Sequence, residues 1–198
     1  MKDYPLERTF HVCLSTGLIT LIDAATSTAG QIGVFRWLST THSALIHRAR
    51  AVWSTVTPFT NAQEVGMDLV VARAFTAESA TVGAVTYSFA ANDGKIWTKQ
   101  NAPSATAPSF FVSGTAVLTA GTHTLDGAPL DRCQMVELAA AGTPYRGTMA
   151  VDFNPTASNR PPLRLDANEG LILRNTILMG AAGTARVVFA IDLTEQAV

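Results

Sequence analysis

The C-terminal run Pro161–Glu195, PPLRLDANEGLILRNTILMGAAGTARVVFAIDLTE, constrains the fold more than any other stretch. Within Arg186–Leu193, Val187, Phe189, Ile191 and Leu193 fall on one face, and Val188, Ala190 and Asp192 on the other. A period of two belongs to a half-buried strand; a helix, at about 3.6 residues per turn, would scatter these apolar residues around its axis. Ahead of this run come the Pro161–Pro162 breaker, Leu163 and Leu165, a polar turn over Asp166–Gly170, a strand-like run Leu171–Met179 and a small-residue turn Gly180–Gly183. Two antiparallel strands are the expected product.

The same logic extends upstream. Thr9–Thr16 alternates weakly, and Leu18–Ile22 is a short β-branched run expected to be buried on both faces. In Gln31–Leu38, Ile32, Val34 and Phe35 compete for the core, and Gly33 predicts an irregularity. Ser43–Val56 fits two periods: Leu45, Ala49 and Val52 make a helical stripe, while Leu45, His47, Ala49, Ala51 and Trp53 make a strand face. Strand is preferred because its neighbours are strands. In Glu64–Phe75, Val65, Met67, Leu69 and Val71 alternate with Gly66, Asp68 and Val70, so this segment and the one before it predict a hairpin or a sandwich corner. Thr81–Phe89 and Lys95–Lys99 flank an Asn92-Asp93-Gly94 tip suited to a tight turn. Phe110–Leu118, Arg132–Ala139 and Thr148–Phe153 complete the set, with a Gly- and Asp-rich excursion over Thr119–Asp131. Roughly ten short strands in a chain of this size predict an all-β, two-sheet antiparallel sandwich.

The 198 residues suit a single domain over residues 9–198, preceded by an arm Met1–Arg8 that Pro5 keeps irregular. Only 15% of residues are charged, against roughly 25% in ordinary soluble domains, which predicts that some uncharged surface is covered by another chain. The net charge of −1 and the scattered Lys and Arg give no electrostatic footprint for nucleic acid. MKDYPLER lacks the features of a secretory signal, and no apolar run reaches the roughly 20 residues of a membrane span, so a soluble protein made in a reducing cytoplasm is expected. Cys13 and Cys133 are too few for a metal or disulfide framework.

Legible catalytic chemistry is scarce, and no enzyme, cofactor or metal site is expected. His42 and His47 stand beside Arg48 and Arg50, but a metal site needs a third ligand, and His11 and His123 are remote in sequence. Asp126, Asp131, Asp152, Asp166 and Glu169 lie mostly beside Gly, Pro and Asn, where carboxylates serve turns; an acid/base pair would need a separation that sequence does not supply. Ser113 lies outside any nucleophile elbow. Trp37 and Trp53 sit in apolar runs and read as packing residues, whereas Trp97, with Tyr87, is a candidate sugar-stacking side chain near loop tips.

The order LRLDANEGLILRN (Leu163–Asn175) followed by GAAGTARVVFAIDLTE (Gly180–Glu195) resembles the closing strands of small jelly-roll virion proteins of tailed bacteriophages. LITLIDA (Leu18–Ala24) and HSALIHRARAVW (His42–Trp53) are similar in layout to their opening strands. The resemblance implies a jelly-roll sandwich without catalytic residues, located in the virion as a capsid decoration or cement protein. Its partners would be the major capsid protein or other virion proteins, and copies of itself in a symmetric oligomer, a trimer first. A tail, fibre or connector component, or a carbohydrate- or receptor-binding module, is the alternative. Interaction residues expected on this basis are Tyr4, Pro5 and Arg8 in the arm, Trp97, and Pro103 and Pro108 in the Ala/Ser/Pro loop Asn101–Pro108.

Overall fold

The computed structural model describes residues 9–19, 30–59, 63–77, 84–87, 108–114, 118, 121–137, 146–153, 161–176 and 183–198. These hold twelve strands and no helix: β1 (Thr9–Ser15), β2 (Gln31–Trp37), β3 (His42–Thr57), β4 (Gln63–Ala77), β5 (Val85–Thr86), β6 (Ser109–Val112), β7 (Thr122–Leu125), β8 (Asp131–Glu137), β9 (Arg146–Asp152), β10 (Leu163–Leu165), β11 (Glu169–Asn175) and β12 (Thr184–Ala197). Every pairing among them is antiparallel.

One sheet runs β1-β12-β3, with β9 and β10 sharing the far side of β3. The other runs β5-β6-β2-β11-β4, with β7 and β8 sharing the far side of β4. The principal pairs are nested in sequence: β4 with β8, β3 with β9, β2 with β11 and β1 with β12. Because these four nested pairs fall alternately in the first and the second sheet, this is a long hairpin rolled into two layers, the jelly-roll sandwich.

The core between the sheets follows from the alternation. Phe10 and Val12 of β1, Val187, Phe189, Ile191 and Leu193 of β12, and Val65, Met67, Leu69 and Val71 of β4 all turn inward. They pack around fully buried Trp37, Trp53, Phe35 and Phe110, with Phe189 set edge-on to Phe110 at 5.4 Å between ring centroids. Burying side chains of this size contributes about 1.5–3 kcal/mol each. A smaller apolar cluster, Val34, Ala72, Phe75, Phe111, Leu118 and Ile172, forms on the outward side of the second sheet.

Several sequence expectations change here. Segments 171–179 and 186–193 do not pair with each other: β11 lies in the second sheet and β12 in the first, because the connection between them crosses the sandwich. The first of these strands ends at Asn175. Leu18 is 43% exposed and Ile19 makes only an isolated bridge to Ala185, so this part of Leu18–Ile22 is not a doubly buried strand. The excursion after residue 118 contains β7. Ser43–Val56 is strand throughout, and its junction with Glu64–Phe75 is the sandwich corner. The mixed periodicity has a cause: in the β3·β12 register Arg48 meets Asp192 but Ile46 meets Leu193, leaving His47 as an extra residue. Inward positions therefore switch from Ala44 and Ile46 to Ala49, Ala51 and Trp53. The irregularity expected at Gly33 appears beside it, where the register slips between Leu173 and Arg174. The Asn92-Asp93-Gly94 tip and the arm 1–8 lie outside the described residues.

Candidate functional site

Among the described residues, ionisable side chains cluster in three places. The first is the outward face of the β1-β12-β3-β9 sheet. Outward positions in register form a row, His11 of β1, Asp192 of β12, Arg48 of β3 and Asp152 of β9, so that four adjacent strands present alternating basic and acidic groups. His11 Nδ1 is hydrogen-bonded to an Asp192 carboxylate oxygen. The extra residue of β3, His47, hydrogen-bonds through Nε2 with the Thr194 hydroxyl at 2.7 Å. Burial lowers the His47 pKa, and the nearby Asp192 carboxylate opposes that shift. Arg48 is exposed and joins no ion pair among the described residues. The row is flanked by Cys13, Ala190, Arg50 and Ala150, and beyond them by Ser15, Val188, Val52 and Thr148.

The second place is the outward side of the β8-β4-β11 sheet. Asp68, with no exposed surface, accepts hydrogen bonds from Arg132 Nε at 2.6 Å and Arg132 Nη2 at 2.9 Å, and a longer one from Arg174 Nη2 at 3.4 Å. The three residues are cross-strand neighbours, which is why a buried carboxylate is tolerated in the otherwise apolar stretch 65–72 of β4.

The third lies at the end of the sandwich holding the β10–β11 turn. Arg73 donates to Glu169 Oε1 at 2.6 Å and to both oxygens of Asp126 at 3.3 Å. Glu169 Oε2 accepts from the Asp166 backbone N–H, and Asp166 Oδ1 accepts from Ser43 Oγ at 2.6 Å and Arg164 Nε at 2.8 Å. These bonds, led by that from Ser43, hold the Asp166 carboxyl below its usual pKa. A general acid needs the opposite shift, so Asp166 is tuned as an ionised turn carboxylate. Two left-handed residues shape this end. Asn168 has φ 64° and Ala74 has φ 48°, and the kink at Ala74 turns Phe75 outward, where its N–H reaches the Asn168 carbonyl at 2.7 Å.

Of the residues expected from sequence to make contacts, Tyr4, Pro5, Arg8, Trp97 and Pro103 lie outside the described residues, and Pro108 is buried just ahead of β6. Tyr87 is also buried, packed on Phe110, and is no stacking platform. Trp37 and Trp53 are core residues. His42 lies beside Thr41 at the start of β3, and Asp131 caps the Arg132 N–H. Neither Cys13 nor Cys133 is in a disulfide. The charged row and the Asp68 cluster carry no local sequence signal, because each exists only through the register of strands far apart in the chain.

These features define a jelly-roll β-sandwich whose described residues cluster ionisable side chains on two outer faces and at one end. Comparison with protein-family models, curated proteins and solved structures finds no match.

Proposed function

We propose that the chain is a non-enzymatic structural protein of a bacteriophage virion, a capsid decoration or cement protein that binds the capsid lattice as a symmetric oligomer. The observation that carries this reading is the apolar interior formed by the described residues. Among the described residues, Trp37, Trp53, Phe35, Phe110 and Phe189 pack together between the sheets, whereas a small-molecule site needs a cleft lined by a few convergent polar groups. Recognition then falls to the outer faces and loops. Low charge favours packing against a repeating surface, and many identical weak contacts add up to tight attachment through avidity. The resemblance of the closing strands to phage virion proteins supports the same reading.

The test is co-sedimentation of the purified protein with assembled phage shells, over a range of protein concentrations. Saturation at a fixed number of copies per capsid subunit is the expected result. Failure to sediment with shells at any concentration rejects the proposal.

A further inference from the structure

We propose that the outward face of the β1-β12-β3-β9 sheet is a homodimer interface, in which the row His11, Asp192, Arg48 and Asp152 pairs with the same row of a second copy. The inference rests on reading the chain as an oligomeric binding protein and names one of its contacts.

The argument is geometric. An even-membered row that alternates basic and acidic side chains is complementary to its own reversal. A two-fold axis lying in the interface, parallel to the strands and midway between β12 and β3, reverses the row. Each Asp192 then faces the Arg48 of the other copy, and each His11 faces the other Asp152. A two-fold axis running along the row would instead set Arg48 against Arg48 and Asp192 against Asp192. The charges therefore select one of the two symmetric ways of stacking this face on itself.

The neighbouring rows agree with the same axis. Reversal sets Ala190 against Arg50 and Cys13 against Ala150, and in the next row it sets Val188 against Val52. Farther along, it sets Arg186 against Ser54, and on the other side Thr194 against Leu45. No two arginines meet in these pairs. Beside the central row the small side chains of Cys13, Ala190 and Ala150 leave room for two twisted sheets to approach at the usual spacing of about 10 Å. Arg48, which has no ion-pair partner in its own chain among the described residues, gains one in the dimer.

The test uses two opposite charge reversals on the full-length chain, Arg48→Glu and Asp192→Lys, with molar mass measured by light scattering and sedimentation equilibrium. The wild type is expected to be a dimer that weakens with added salt. Each variant alone places like charges together twice per dimer, and its dissociation constant should rise by about a hundredfold. An equimolar mixture of the two variants should dimerise to within about tenfold of the wild type. In the mixed dimer the carboxylate introduced at position 48 of one chain faces the ammonium introduced at position 192 of the other, while the native Asp192 of the first still faces the native Arg48 of the second. Circular dichroism of each variant checks that the sheet is intact. If Asp192→Lys alone fails to fold, Arg48→Glu paired with Asp192→Asn provides the same comparison with half the compensation. A monomeric wild type, a trimer, single variants that dimerise normally, or a mixture that stays monomeric each overturns the proposal. Shell binding is scored separately: a dimer that ignores shells rejects the decoration role alone, and a shell-binding monomer rejects this interface alone.

Discussion

Removing the buried carboxylate with Asp68→Ala should be among the most damaging polar substitutions in the chain. Asp68 has no exposed surface and neutralises one of two guanidinium groups; Arg132 is 49% exposed and Arg174 only 24% exposed. Taking away one partner of a buried pair costs about 3–5 kcal/mol, mostly because the remaining charge is stranded. Here part of that cost is relieved, since Arg132 can turn to water while Arg174 has less freedom to do so. The expected loss is about 2–4 kcal/mol, or about 5–15 °C in melting temperature for a chain of this size. Urea titration followed by tryptophan fluorescence is a suitable assay, because Trp37 and Trp53 are fully buried. The triple variant Asp68→Leu, Arg132→Leu, Arg174→Met removes every charge at once and should recover at least half of the loss. A single-variant cost below about 1 kcal/mol, the range of an exposed pair, would refute the reasoning, as would a triple variant no more stable than the single one.

Gly33→Ala brings a Cβ to 2.7 Å from Phe189 Cδ1 and 3.3 Å from Val112 Cγ1, against a ring already fixed by Phe110; a loss of about 1–3 kcal/mol in urea unfolding is expected, and no loss would mean that the ring has room to move. Ala74→Gly should stabilise by about 0.5 kcal/mol, because relief of a left-handed alanine outweighs the added freedom of glycine in the unfolded chain, and Ala74 is exposed with no packing to lose; a destabilised variant contradicts this. Burial lowers the pKa of both His47 and His123 from 6.5, so the unfolded chain binds more protons than the folded one as pH falls through 6.5 towards the folded values. Their contribution to stability is intact above that point and lost below it. The urea midpoint should therefore drop between about pH 7.5 and pH 5, and His123→Gln should make that drop shallower.

Much of this architecture can be read from side-chain alternation, and its failures have physical causes. The 186–193 run, with Val187 to Leu193 on one face, is a strand of the kind expected. The faces of Val65–Val71 and the core roles of Trp37 and Trp53 were equally legible. Periodicity misled where a single residue changed phase: His47 shifts the inward set of β3, and Ala74 sends Phe75 to the outside. Nor does a period of two say which sheet a strand joins. Leu171–Met179 and Arg186–Leu193 read as partners, yet β11 pairs with β2 and β4, and β12 with β1 and β3. The charged row was hidden for the same reason. His11 and Asp192 become neighbours only through a pairing that spans 181 positions of sequence.

The place of β12 also governs when the protein can acquire its shape. It is the middle strand of its sheet, bonded to β1 on one side and β3 on the other, yet it occupies residues 184–197. While the ribosome is still translating earlier codons, β1 and β3 have emerged without the ribbon that joins them, and the backbone edges it will pair with have no partner. Emergence of residues 184–197, more than the exit of any earlier segment, starts the clock for folding. A polypeptide cut short before residue 184 would leave two orphaned edges open to self-association.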